Sequence, residues 1–453
     1  MSRSPHVPRL LAGLAGLGVA AVLAWAFFLR PEAPLPDPPA EVGPSAEFVN
    51  AEASIDYYRA RLRRNPDEVR SWASLAQVLL QQGAATGREG DYLPEAQDAL
   101  AEALRRAPAD VHARLLQGSL YNTLHRFEDA RDVARQLLTE HPHLAYAHGI
   151  LVDALVELGE YDAAVAAADA MIAVRPGIAS YSRASYLREL HGDTEGAIAA
   201  MRMAADAGMG GRADRAWALY NLAALYLAAA EPDTAAYLFE GLLEERPGYP
   251  YAVAGLGHVA LVRGDADEAV RRFRQAHALA PRDVFLELLA EAYAVKGDAR
   301  RADEALDGVA DALADARAMG EVVDMEEADF LLDRGQDVRR ALRMAAAQLR
   351  RRPDHLHANE TYAWALHHNG RSADAIPFIE HALRLNTGDA MAHHRAAQIY
   401  RAAGRPADAA RHTRLALANH LDVESPTAAA DARTTLAALE SSGAPVQTAG
   451  MVR

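Results

Sequence analysis

From about residue 48 onward, apolar and small residues recur at helical spacing, and strand-type alternation is nearly absent. Prolines break the runs at a fixed interval. Pro108, Pro142 and Pro176 stand 34 residues apart, and Pro247 and Pro281 repeat the interval. A constant period of this length marks a repeat architecture, and 34 residues is the length of a helix–turn–helix unit. Each proline closes the second helix of its unit, because the residue before a proline is pushed out of helical geometry. The pattern predicts an all-α solenoid of about ten helix pairs over residues 48–421, opened by a lead helix that ends at Asn65-Pro66.

Within a unit the positions have distinct packing roles. Leu256, Gly257, Gly264, Ala269, Phe273, Ala276 and Pro281 make up one set. Small residues such as Gly257, Ala269 and Ala276 let the paired helices approach, and Leu256 and Phe273 fill the space between them. Trp217, Leu222, Ala223, Tyr226, Phe239 and Pro247 form a second set, and Gly118, Tyr121, Phe127, Ala130 and Pro142 a third. These residues resemble the tetratricopeptide repeat family, and the resemblance covers most of residues 48–421.

The resemblance implies a right-handed superhelix in which first helices line a concave groove and non-consensus positions on them contact a partner protein, bound as an extended peptide or a helix. Carried to this chain, those positions are Tyr146, Asp153, Tyr186, Trp217, Tyr220, Tyr251 and His258. The competing reading is that several of them pack between neighbouring repeats. The carboxylate clamp of chaperone-binding members needs lysines on consecutive first helices, and Lys296 is the only lysine here.

Three segments depart from the period. Residues 84–93 are expected to lengthen the turn of the first full pair. Gly208 to Gly211 replaces a proline between two units. Residues 306–330 read as a longer, more polar repeat that still stacks. A candidate capping helix (422–440) and a disordered tail (441–453) are expected to close the chain.

The N-terminus adds a second component. Leu10 to Leu29 is an uncharged apolar run of 20 residues, long enough to span a bilayer as a single transmembrane helix behind a short cytoplasmic N-terminus (1–9). Arg3 and Arg9 precede it, and acidic residues follow Arg30, so the positive-inside bias puts the repeats outside the cytoplasm. The alternative is a cleaved signal peptide cut near Ala24-Trp25-Ala26, which would release the repeats into the periplasm; Phe27, Phe28 and Leu29 continue the apolar run past that cut. Residues 31–47 carry six prolines and read as a semi-rigid spacer.

Composition narrows the chemistry. The net charge of -15 argues against nucleic acid as a partner. The chain has no cysteine, which excludes disulfides and thiol chemistry. No phosphate loop, His-Glu-x-x-His or Gly-x-Ser-x-Gly motif occurs, so no enzyme activity and no cofactor are expected. Eight histidines crowd residues 355–412, and His367 with His394 form a weak metal-ligating alternative across adjacent repeats. Adjacent histidines on one helix point about 100° apart, so these residues are expected to be solvated surface side chains.

Overall fold

The computed structural model describes residues 46–86, 89–318 and 322–441, in which every regular element is a helix. Residues 1–9, the apolar span 10–29, nearly all of the spacer 31–47, and the tail beyond Ser441 lie outside the described residues. Among the described residues no helix is long and apolar enough to cross a membrane.

A lead helix α1 (Ala46–Arg64) packs on the first of ten helix pairs. Repeats one to three are α2/α3 (Val69–Thr86, Glu89–Arg106), α4/α5 (Val111–Thr123, Phe127–Glu140) and α6/α7 (Ala145–Leu158, Tyr161–Val174). Repeats four to six are α8/α9 (Ile178–Leu190, Thr194–Asp206), α10/α11 (Ala213–Ala228, Pro232–Glu245) and α12/α13 (Pro250–Val262, Ala266–Leu279). Repeats seven and eight are α14/α15 (Asp283–Val295, Ala299–Ala318) and α16/α17 (Asp324–Asp333, Val338–Arg351). Repeats nine and ten are α18/α19 (Leu356–His368, Ser372–Ala382) and α20/α21 (Ala390–Ala402, Pro406–Ala418). The short α22 (Leu421–Glu424) and the longer α23 (Pro426–Ser441) follow.

The periodic prolines act as expected. Each of the five stands two residues past the end of a second helix. The intervening residue is driven to extended angles, as at Arg175 (φ -149°, ψ 88°) and Ala280 (φ -148°, ψ 117°). Between the helices of a pair, Phe273 is fully buried with Ala269 and Ala276 in a core that runs on to Phe285 and Leu306. A methyl group on Gly257 would sit 2.9 Å from the Phe273 ring, so the close approach requires glycine.

One irregular segment resolves differently from expectation, and a second stacks as the extended repeat expected. Residues 84–93 lengthen the helices themselves: α2 runs to Thr86 and α3 begins at Glu89. The extra length of 306–330 is taken up by α15, which at 20 residues is the longest second helix among the described residues.

The solenoid closes on itself at an interval of six repeats. His125 Nδ1–H donates to the Val322 carbonyl (3.0 Å), Arg352 meets Glu157 (3.2 Å), and the Leu356 N–H donates to the Tyr161 hydroxyl (3.0 Å). These contacts span 197, 195 and 195 residues. Repeats two to four thus dock edge to edge on repeats eight to ten, and successive turns of the superhelix touch.

Candidate functional site

The first helices α8, α10, α12 and α14 present one continuous concave face. Tyr186, Tyr220, Tyr251 and His258 all line a single apolar cavity on it, together with Phe239, Phe285, Leu288 and Glu189. The rings touch one another: Tyr251 lies 5.4 Å from Tyr220 and 5.4 Å from Phe285, centroid to centroid. Gly255 makes room, since a Cβ there would sit 2.5 Å from the Phe239 ring. Four of the seven sequence-predicted positions therefore share one recess.

The other three face elsewhere. Trp217 is 4% exposed and packs with Met201, Leu222 and Leu225 between repeats. Asp153 is held by Arg183 in a bidentate ion pair at 2.8 and 2.6 Å. Burial pushes its carboxyl upward, and the Arg183 charge opposes that shift. Tyr146 lies under the Arg175 guanidinium at 5.3 Å, outside the recess. These three side chains make contacts within the solenoid and lie outside the recess.

The recess is not vacant. The segment between α21 and α23 turns inward, and α22 inserts Val423 among the cavity-lining residues. His258 Nε2–H donates to the Val423 carbonyl at 2.7 Å. Burial pulls His258 below its ordinary pKa while that bond opposes the shift. One repeat on, the Glu291 carboxylate accepts from Ser425 Oγ (3.1 Å), the Thr427 N–H (2.9 Å) and Thr427 Oγ1 (2.9 Å). Sequence reasoning missed Val423 and Glu291, because nothing local in the run Leu421–Glu424 marks it as facing a surface 165 residues away.

Beyond the recess, the inner face of repeats eight to ten is a buried polar network. Arg395, 2% exposed, meets Asp329 at 2.8 Å and Asp333 at 3.0 Å. Its guanidinium lies 5.3 Å over the Trp364 ring, whose Nε1–H donates to Asp333 (2.8 Å). Thr361 and His357 complete the shell around Asp329.

The histidine-rich end is likewise enclosed, which corrects the expectation of solvated side chains. His355, His393, His394 and His412 are all buried. His367 sits 3.0 Å from Ser372 Oγ and stacks on Trp364, whereas His394 faces Gln398 (2.8 Å) and Asp431 (4.0 Å). The two candidate ligands are engaged with different partners. Burial pushes His367 down to about 4 and His412 to about 3, so both rings are neutral at physiological pH. Among the described residues no group of three or more His, Asp or Glu side chains is arranged to hold a metal ion.

Family models for the tetratricopeptide repeat match residues 87–145, 151–212, 226–283 and 326–390. The chain belongs to the tetratricopeptide repeat family. A curated relative, cellulose synthase operon protein C of Pseudomonas fluorescens, is 28% identical over 196 residues, 41% of this chain. That match spans 14% of the relative's own length. Among solved structures, Pseudomonas aeruginosa PilF is 17% identical, covering 43% of this chain and 88% of that chain, with a TM-score of 0.37. A human IFIT1 dimer with m7Gppp-AAAA is 15% identical, covering 81% and 95%, with a TM-score of 0.45. No role is carried over from any of them.

Proposed function

We propose that this tetratricopeptide repeat protein is a non-catalytic scaffold that binds a partner protein on the aromatic concave face of repeats four to seven. One observation carries the reading: that face already holds a polypeptide segment, through a side chain in the recess and a main-chain carbonyl on His258. Aromatic anchors in a desolvated concavity are the side chains that dominate binding energy at protein interfaces.

The apolar run 10–29 is proposed to anchor the chain in the cytoplasmic membrane, with the proline-rich spacer carrying the repeats on the extracytoplasmic side. A scaffold so placed suits assembly or quality control of an envelope complex.

A photoreactive residue placed at Leu288 in living cells tests the binding surface. A discrete crosslinked partner, lost in Tyr220→Ala/Tyr251→Ala, is expected. The same crosslinks in both strains, or none in either, would remove the groove as the recognition surface. For topology, protease added to intact spheroplasts is expected to degrade the repeats; full protection would place them on the cytoplasmic side.

A further inference from the structure

We propose that Val423–Thr427 is a displaceable stand-in for the partner. The recess then takes a segment of another protein with the same chemistry: an aliphatic anchor, hydroxyl residues two and four positions later, and a larger anchor than valine. This rests on the scaffold reading above and specifies what the scaffold recognises.

The geometry defines the recognition elements one by one. His258 reads the carbonyl of the anchor residue, which is independent of side-chain identity. Glu291 reads the hydroxyls of Ser425 and Thr427 and the Thr427 N–H. The pattern Val423-Glu-Ser425-Pro-Thr427 therefore meets both a donor and an acceptor that the groove supplies from adjacent repeats.

The anchor is under-filled. A cavity of about 80 Å³ remains beside Val423, walled by Tyr186, Tyr220, Phe239, Tyr251 and Phe285. Most of the lining is apolar, with Glu189, Asn221 and His258 among its polar points, and an apolar group that fills the ring side is favoured by the surface it removes from water. A leucine, isoleucine or methionine in the valine's place would bury more apolar surface against those rings, each added methylene strengthening binding about fourfold.

The built-in segment is short and seated: Leu421 and Val423 are buried, and the Glu424 carboxylate accepts from the Met391 N–H at 3.2 Å. It forms the turn between α21 and α23, entered through His420 at φ 61° and left through extended Ser425. Being tethered, it competes at a high effective concentration, so a free segment wins only by filling the recess better. The wild-type chain is thus a guarded receptor, and its apparent affinity is lowered by the fraction of molecules with the segment seated.

The test uses the full chain and a fluorescein-labelled peptide of residues 419–430, read by fluorescence anisotropy. Ser425→Ala/Thr427→Ala in the protein removes the hydroxyl contacts to Glu291, keeps the one from the main-chain N–H of residue 427, and leaves the groove intact. The peptide is expected to bind this variant about tenfold more tightly than wild type. A peptide with leucine for Val423 is expected to bind more tightly still, and His258→Phe in the variant to abolish binding. Equal affinity for wild type and variant, binding to neither, or indifference to His258→Phe would overturn the proposal. So would a variant that dimerises by exchanging the segment between copies.

Hydrogen exchange on the wild type covers the case of a misfolded variant. The amides of Ser425 and Thr427 are expected to exchange ahead of those in α12; exchange only on global unfolding would overturn a displaceable segment. The scaffold reading fails separately. A partner crosslinked at Leu288 alongside failed peptide exchange leaves the scaffold and removes this inference.

Discussion

Gly159 and Gly192 are glycines because of neighbours almost two hundred residues away. Gly159 adopts φ +81°, and a Cβ there would lie 2.5 Å from the His355 nitrogen and overlap the Asp354 carbonyl carbon. At Gly192 (φ +72°) a Cβ would overlap the Asn386 carbonyl oxygen. Gly264 has nearly the same backbone, φ +85°, and opens on empty space. Alanine at Gly264 then costs only left-handed backbone strain, about 1–2 kcal/mol. Alanine at Gly159 adds a collision between two superhelical turns. Gly159→Ala is expected to raise the radius of gyration by small-angle scattering while helicity persists, and Gly264→Ala to leave it unchanged; matching profiles would deny the turn contact its steric basis. Glu189, in the recess, makes a second residue-scale prediction. Burial, assisted by Asp389, raises its carboxyl from 4.5 to about 7. The folded chain therefore holds that proton more tightly than the unfolded one. The resulting stability is complete below pH ~4.5 and lost as pH rises through about 7, amounting to at most ~3 kcal/mol. Urea denaturation at pH 5 and pH 8 checks this: wild type is expected to lose more stability across that interval than Glu189→Gln.

At the scale of elements, the helix pair is the unit that carries the fold, and Phe273 with Ala269 is its clearest instance. Phe273→Ala is expected to cost about 3–5 kcal/mol by chemical denaturation, since the ring is fully enclosed. Ala269→Trp overpacks the same contact, at about 1–3 kcal/mol. A midpoint unmoved by both would contradict the packing. These elements were legible in the sequence because their determinants are local: periodic prolines two residues past second helices, and small residues where helices cross. Tyr220, Tyr251 and His258 could be placed on the inner face for the same reason. Trp217 could not, since on a first helix the boundary between core-facing and groove-facing positions falls within one turn, and the indole went to the core. The buried histidines were misread because adjacent ring directions say nothing of what encloses them. His355 is covered by α6 at Glu157, almost two hundred residues earlier, His393 and His412 face each other between α20 and α21, and His394 faces Asp431 on α23.

At the scale of the whole molecule, the interval of six repeats emerges from small rotations between successive pairs, each set by side-chain volumes that no motif encodes. Irregular helices such as α15 change those rotations further, so closure was not legible in the pattern that revealed the repeats. Its chemistry is concentrated at Glu157 and Arg352. Arg352 meets Glu157 at 3.2 Å, receives support from Gln348 at 3.0 Å, and covers the Phe127 ring at 5.4 Å. Burial drives the Glu157 carboxyl upward, and the Arg352 charge is the largest influence opposing it. Removing the arginine strands a buried carboxylate, whereas removing both charges strands nothing. Arg352→Met alone is therefore expected to destabilise by about 3–5 kcal/mol and to expand the particle in scattering. Arg352→Met combined with Glu157→Gln is expected to recover most of that stability, because the apolar stem still covers Phe127 and the amide needs no counter-charge. The cycle separates two origins of closure. Recovery of stability together with the compact profile would mean that shape brings the turns together and the ion pair only neutralises itself. Recovery of stability with the profile still expanded would mean that the ion pair is the clasp, and that the repeats alone favour an open spring.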